Sequence, residues 1–232
     1  MVIYMKTLKK QKTSIAIVGI VTALCIVMAV IDGVLQANYF VKSGVKLILF
    51  LGVPALYAFA DRNVQIKPLF VADKKGIGYA LGLCVGVYVV ILGGYLLLRN
   101  VFDFSSITAS LTANIGVNRN NFVFVSLYIS FVNSLLEEFF FRGFAFITLK
   151  RVATAKFAYL FSAAAFALYH VAMIIGWFSP VVFIIVMAGL FAGGMIFNYL
   201  NAKSGTIYPS WFVHMFANFA INTIGFMLFG II

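Results

Sequence analysis

Long apolar stretches separated by short polar segments dominate the pattern of residues along the chain. A helix needs roughly 20 mostly apolar residues to cross the hydrocarbon core of a bilayer. Seven stretches reach that length, at about residues 14–35, 41–60, 77–99, 122–148, 157–176, 180–200 and 207–231. The second is the weakest, because Lys42 and Lys46 interrupt it and Pro54 would kink it. The pattern predicts an all-α membrane protein, a bundle of about seven transmembrane helices.

Composition supports a membrane protein and excludes a water-soluble one. Hydrophobic residues make up 64% of the chain, charged residues only 10%, and the mean hydropathy is +1.08. An ordinary soluble domain is roughly a quarter charged. The formal net charge is +11, but most basic residues lie in short connections between apolar stretches. This charge therefore predicts membrane orientation and contact with anionic lipid, not nucleic acid, and we expect a multi-pass protein of the cell membrane.

The basic residues also predict which end of the chain faces the cytoplasm. Alternate connections place twelve of them on the side of the N-terminus: Lys6, Lys9, Lys10, Lys12, Arg62, Lys67, Lys74, Lys75, Lys150, Arg151, Lys156 and Lys203. The opposite side receives four: Lys42, Lys46, Arg99 and Arg119. Because cytoplasmic loops are enriched in lysine and arginine, we expect a cytoplasmic N-terminus and an external C-terminus.

A polar connection at about residues 100–121, rich in Ser, Thr and Asn, divides the predicted bundle. It separates an N-terminal three-helix region, residues 1–121, from a C-terminal four-helix core, residues 122–232, within a single membrane domain. GxxxG spacings allow close helix packing, and they occur at Gly78, Gly82, Gly86, Gly189 and Gly193. We therefore expect helix contacts along these glycines.

The candidate chemistry begins with two adjacent acids in the fourth predicted span. Glu137 and Glu138 are the only glutamates of the chain, and the four aspartates fall at predicted helix ends or in loops. A charged side chain at the centre of a bilayer costs about 2.5 kcal/mol or more, so both need partners or water. Arg142 follows Glu138 by four residues and can pair with it on one helical face. Glu137 points about 100° away, towards an expected cavity.

Polar side chains recur once per helical turn along two of the predicted spans. The stripes consist of Ser126, Ser130, Asn133 and Glu137 in the fourth span, and of Ser210, His214, Asn218 and Asn222 in the last. Such faces avoid lipid, so we expect them to contact each other. The other histidine, His170, lies in the fifth span. By contrast, we expect the aromatic run at 139–141 to be a lipid-facing and packing surface.

These residue types suit peptide hydrolysis. A buried Glu–His pair can hold and deprotonate a water, while a second histidine and an asparagine donate hydrogen bonds to the oxyanion. Zinc is the alternative, because Glu137, His170 and His214 would supply one carboxylate and two imidazoles with an open position. An HExxH motif is absent. The sequence leaves both possibilities open, with no cofactor certain.

Three motifs, in order, resemble one known family. Glu137-Glu138-x-x-x-Arg142-Gly143, Phe166-x-x-x-His170 and His214-x-x-x-Asn218 are similar to motifs of the CPBP family, the CAAX protease and bacteriocin-processing proteins, also called Abi. The resemblance implies a membrane-embedded CAAX-type endopeptidase that acts on membrane-associated peptides or proteins. It implies that Glu137 and His170 activate the water, that His214 and Asn218 form the oxyanion site, and that Glu138 and Arg142 support them. It leaves a glutamate-dependent and a metal-dependent mechanism open.

Two other classes of function are compatible with the same groups. A non-catalytic membrane scaffold or a bacteriocin-immunity or regulatory protein could share the fold, although every catalytic position of the motifs is filled here. A proton-coupled transporter could also use intramembrane Glu and His. Such transporters contain repeated halves with paired broken helices, a pattern that the sequence lacks.

Overall fold

The computed structural model describes residues 2–232. The side chains of Val2, Ile3, Lys6, Lys74, Lys75, Asn114 and Ile115 lie outside the described part. Three of these, Lys6, Lys74 and Lys75, belong to the lysines used above to predict orientation. Over residues 2–232 the fold is built from helices, without a β-strand.

Besides a short 3-10 helix at Lys67–Phe70, residues 2–232 form eight helices: α1 (Val2–Gly33), α2 (Tyr39–Ala60), α3 (Lys74–Leu98), α4 (Ser105–Ile115), α5 (Phe122–Val152), α6 (Ala155–Ile174), α7 (Pro180–Ser204) and α8 (Tyr208–Leu228). All except α4 are long and apolar enough to cross a membrane. The prediction of seven spans is therefore confirmed, with ends that differ by a few residues. The short helix α4 lies within the polar connection at 100–121.

Helix α5 forms the centre of the bundle and departs from regular α-helical geometry. It is π-helical over Tyr128–Asn133 and Glu138–Thr148, and α2 contains a π-helical turn at Ile48–Gly52. Each π-turn rotates the following residues relative to a 3.6-residue repeat, and such turns are frequent at functional sites. Every side chain from Glu138 to Thr148 is buried.

The aromatic run at 139–141 lies in this buried segment. Phe140 stacks on Phe50 of α2, with ring centroids 3.9 Å apart, and Phe141 packs edge-on against Phe50 and Phe166. The rings form a packing surface, as expected, but the prediction that they also face lipid was wrong, because α2 and α6 cover the face of α5 that carries them.

The N-terminal and C-terminal helices pack into one bundle. Helix α3 packs mainly along α8, and α6 packs along α7. At the C-terminal end of α2, the Asp61 carboxylate accepts a hydrogen bond from the Thr13 hydroxyl of α1 (2.5 Å), which joins the two helices. It also accepts hydrogen bonds from Tyr57 OH (3.2 Å) and from the backbone N–H of Asn63 (2.9 Å). Burial acts to raise the pKa of Asp61, but these hydrogen bonds outweigh it and lower the pKa below the ordinary 3.8.

The glycine spacings do not mediate helix contacts within the described chain. A Cβ atom at any of the five, Gly78, Gly82, Gly86, Gly189 or Gly193, would meet nothing within 4 Å. That prediction was wrong for this bundle, because these glycines face outwards. The close approach occurs instead at Gly194, where a Cβ would lie 3.1 Å from the Cα of Ala163.

Two lysines assigned to an external connection lie inside α2 instead. Lys42 forms an ion pair of 3.0 Å with Asp32, and Lys46 is buried. Lys46 therefore faces the interior of the bundle and carries no information on a connection, whereas Lys42 lies in the first turn of α2. A cytoplasmic N-terminus stays a prediction.

Reporter fusions test this orientation. We expect a fluorescent protein fused to the N-terminus, or inserted in the α5–α6 connection, to fluoresce, because basic connections stay in the cytoplasm. Alkaline phosphatase inserted within residues 100–121 should be active, because it folds only outside. The reverse pattern of activities would refute the predicted orientation.

Adjacent glycines in α7 provide a matched test of packing. We expect Gly194→Leu to lower stability by about 1–3 kcal/mol, because the new side chain would clash with the α6 backbone. Gly193→Leu should have little effect, since its Cβ would meet nothing within 4 Å. Thermal unfolding of both variants in detergent measures the difference, and equal melting temperatures would contradict the α6–α7 contact.

Candidate active site

The polar faces of α5 and α8 contact each other, as predicted. Asn222 donates from Nδ2 to the Ser126 carbonyl (3.1 Å) and to Ser130 Oγ (2.9 Å). One turn earlier, Asn218 donates from Nδ2 to the Ile129 carbonyl (3.2 Å). These bonds fix the register of α8 on α5 and bring His214 opposite the two glutamates.

Glu138 is completely buried and has two partners. Its Oε1 accepts a hydrogen bond from His214 Nδ1 (2.9 Å) and lies 3.4 Å from Arg142 Nη1. The predicted Glu138–Arg142 pair is therefore present, and a histidine from α8 joins it. Because a carboxylate oxygen only accepts, Nδ1 of His214 carries the proton of this bond. The ring consequently presents Nε2 to the rest of the site.

Arg142 is also completely buried, and aromatic rings surround its guanidinium. Its Cζ lies 3.9 Å from the ring centroid of Phe166 and 4.9 Å from that of Phe197. The guanidinium nitrogens make no hydrogen bond to the described residues. Cation–π contacts of this kind are worth about 2 kcal/mol or more when desolvated. The rings and Glu138 together offset the cost of burying this cation.

Glu137 has a partner that the sequence analysis missed. Its Oε1 accepts hydrogen bonds from the Lys46 ammonium, with which it forms an ion pair, and from Asn133 Nδ2 (3.0 Å). Its other oxygen, Oε2, lies 3.8 Å from His214 Nε2. We had expected Glu137 to face a cavity and Lys46 only to weaken a span. An ionisable residue inside an apolar span was the available signal, because such residues usually have a function or a partner.

His170 lies where α6 turns near its C-terminal end. Its Nδ1 is 2.7 Å from the Phe166 carbonyl, and a carbonyl only accepts, so Nδ1 carries a proton and the neutral ring has its lone pair on Nε2. The Phe166 ring packs 4.7 Å from the His170 ring and 5.9 Å from that of His214. These contacts explain why Phe166 and His170 are four residues apart in the second motif. Within the described residues, no ion pair or hydrogen bond joins His170 to Glu137.

The four predicted catalytic residues are slightly exposed, whereas the two supporting residues are completely buried. Glu137, His170, His214 and Asn218 retain 3–9% of their surface, whereas Glu138 and Arg142 retain none. Open grooves of about 480 and 470 Å³ lie elsewhere, between α1 and the α5–α6 connection and between α6 and α7. The water-accessible cavity expected between the fourth, fifth and seventh spans stays a prediction.

The donor atoms do not fit a metal site. Among the described residues, no three His, Cys, Asp or Glu side chains are arranged to hold one ion. The zinc alternative needed Glu137, His170 and His214 together, but the Lys46 ammonium already occupies Glu137 Oε1 and would repel a divalent cation. The structure thus gives no support to the metal-dependent reading.

Comparison with known families places these residues in context. The family model described as Type II CAAX prenyl endopeptidase Rce1-like matches residues 119–220, which include all three motifs. This part of the chain is similar to the Rce1-like family. The match confirms the suspected resemblance, and the seven long apolar helices indicate a multi-pass membrane protein. No curated protein and no solved structure matches the chain.

Loss of the buried arginine tests the pairing in the site. We expect Arg142→Met to lower stability by about 3–5 kcal/mol, because Glu138 would be left as an uncompensated buried charge. The double variant Glu138→Gln with Arg142→Met should recover part of this loss, and the exposed Arg151→Met serves as the control. Thermal unfolding in detergent gives the values. Strictly additive effects would show that the two side chains are not coupled.

Proposed function

We propose that this protein is an intramembrane endopeptidase that cleaves membrane-associated peptides or proteins in the manner of CAAX prenyl endopeptidases. One observation carries the proposal. Glu137 Oε2 and His214 Nε2 lie 3.8 Å apart, with both side chains almost fully buried, and the Rce1-like family match covers these two residues and His170.

Water activation is the first step of the proposed mechanism. Glu137 Oε1 is occupied, so Oε2 is the oxygen that accepts a proton from a bound water. His170 Nε2 can accept the second hydrogen of the same water and orient it. General bases of this kind contribute about 10²–10⁴-fold in rate. The attack forms a carbon–oxygen bond and places a negative charge on the former carbonyl oxygen.

The oxyanion is stabilised from α8. The Asn218 amide has two N–H donors, and only one of its hydrogen bonds is used by the Ile129 carbonyl, so the second can reach the oxyanion. The proton taken up by Glu137 passes across the short gap to His214 Nε2, which then donates to the oxyanion. Transfer of that proton to the departing amine accompanies cleavage of the carbon–nitrogen bond.

The predicted orientation suggests which substrates reach the site. His214 lies near the N-terminal end of α8, which follows the basic residue Lys203 and is predicted to be cytoplasmic. A cytoplasmic segment next to the membrane is therefore the proposed substrate. The relation to CAAX endopeptidases favours peptides that carry a lipidated cysteine near the cleaved bond.

Activity assays on purified variants test this function. We expect the wild type in detergent to cleave fluorogenic peptides from a lipidated and unlipidated library, and Glu137→Gln to lose at least about 10²-fold in kcat. Asn218→Ala should lose about 10²–10³-fold. Wild-type activity should survive a chelator, because the site does not fit a metal.

Asn222→Ala is the matched control for Asn218→Ala. It removes the same buried residue type one turn further along α8, where the amide contacts only α5, so it should lower stability and reduce kcat much less than Asn218→Ala does. Folded wild-type protein without activity on any peptide would refute the peptidase proposal. Loss of activity with the chelator would refute the metal-free mechanism alone.

A further inference from the structure

Lys46 is a buried lysine in the middle of a membrane span. Only 6% of its surface is exposed, and it is the one buried lysine among the described side chains. Removing an ammonium group from water costs several kcal/mol, which only close and well-directed partners offset. Lys42, one turn earlier on α2, pairs with Asp32 instead. The burial of Lys46 thus needs a specific explanation.

Its partners form a closed arrangement around one oxygen of Glu137. The ammonium donates to Glu137 Oε1 and to Asn133 Oδ1 (2.6 Å), while Asn133 Nδ2 donates to the same Glu137 oxygen (3.0 Å). The ring of Tyr169 lies 4.9 Å from the ammonium. Carboxylate, amide and ring together hold the cation beside Oε1.

Charge balance assigns each buried carboxylate its own cation. Glu138 has Arg142 on the same helix, and Glu137 has Lys46 from α2. Position 46 lies outside residues 119–220, which the family model matches. The cation beside the proposed general base is therefore supplied by a helix that the family motifs do not include.

We propose that Lys46 is a positioning residue of the active site. Its ammonium keeps Glu137 ionised and fixes Oε1, which leaves Oε2 directed at His214 and free to accept the proton of the attacking water. Lys46 thus supplies the positive charge that a metal ion provides in a metallopeptidase. This inference rests on the proposed peptidase function.

The contacts favour positioning over inhibition. A cation that held Glu137 inactive would occupy the oxygen that faces the histidine, whereas Lys46 contacts Oε1 and leaves Oε2 opposite His214 Nε2 at 3.8 Å. Asn133 reinforces the same division, because it also donates to Oε1.

Substitutions at Lys46 separate charge from hydrogen bonding and from packing. We expect Lys46→Met to lower kcat about 10- to 100-fold with little change in KM, because a misdirected base slows the chemical step. Lys46→Arg keeps the charge and should retain more activity than Lys46→Gln, which keeps only a donor. Lys42→Met removes an ion pair one turn away and should leave kcat unchanged. A kcat for Lys46→Met equal to or above that of the wild type would overturn the proposal.

A double-mutant cycle tests the pairing without an activity assay. Lys46→Met should lower the melting temperature by several degrees in the wild-type background and much less in the Glu137→Gln background, where the carboxylate charge is gone. Equal effects in both backgrounds would overturn the pairing.

If the cycle shows coupling while the folded wild type cleaves no peptide, the peptidase function fails and the pairing stands. If the wild type is active and Lys46→Met is fully active, only the positioning role fails.

Discussion

The presence of two adjacent carboxylates inside an apolar helix is the constraint on which this structure depends. Neither Glu137 nor Glu138 can be hydrated in the bilayer interior, and the cost of burying each falls only when a cation lies within a few ångströms. One cation, Arg142, comes from the next turn of α5, and the other, Lys46, comes from α2. The imidazole of His214 lies between the carboxylates and contacts both.

The packing of the bundle follows from this requirement. Helices attract one another only weakly in lipid, where apolar surface is not expelled from the solvent, so polar contacts and close packing set their register. Here Asn218 and Asn222 fix α8 on α5, and Lys46 fixes α2 on α5. Stacking of Phe50 on Phe140 covers the remaining space between α2 and α5. The same bonds that join the helices therefore arrange the side chains of the candidate site.

Part of the fold and part of the candidate site could be predicted from the sequence. The seven spans, the Glu138–Arg142 pair and the meeting of the α5 and α8 stripes all follow from length and helical period. The partner of Glu137 could not be predicted, because periodicity gives the face of a helix but not its neighbour. The burial of Phe140 was missed for the same reason, and the π-turns of α5 further shift its faces. The helix contacts predicted from the GxxxG spacings are absent among the described residues, because such spacing allows close packing but does not require it.

Because Lys46 lies on α2, the C-terminal helices alone do not contain every charged group of the candidate site. Residues 119–220 carry the family motifs, yet without α2 the carboxylate of Glu137 would lose its cation and one of the two donors to Oε1. A buried charge left in this way costs about 3–5 kcal/mol, a large fraction of the stability of an ordinary domain. The N-terminal helices thus contribute to the electrostatics of the site as well as to its enclosure. Variation in these helices is therefore limited by the requirement that a positive charge still reaches Glu137 Oε1.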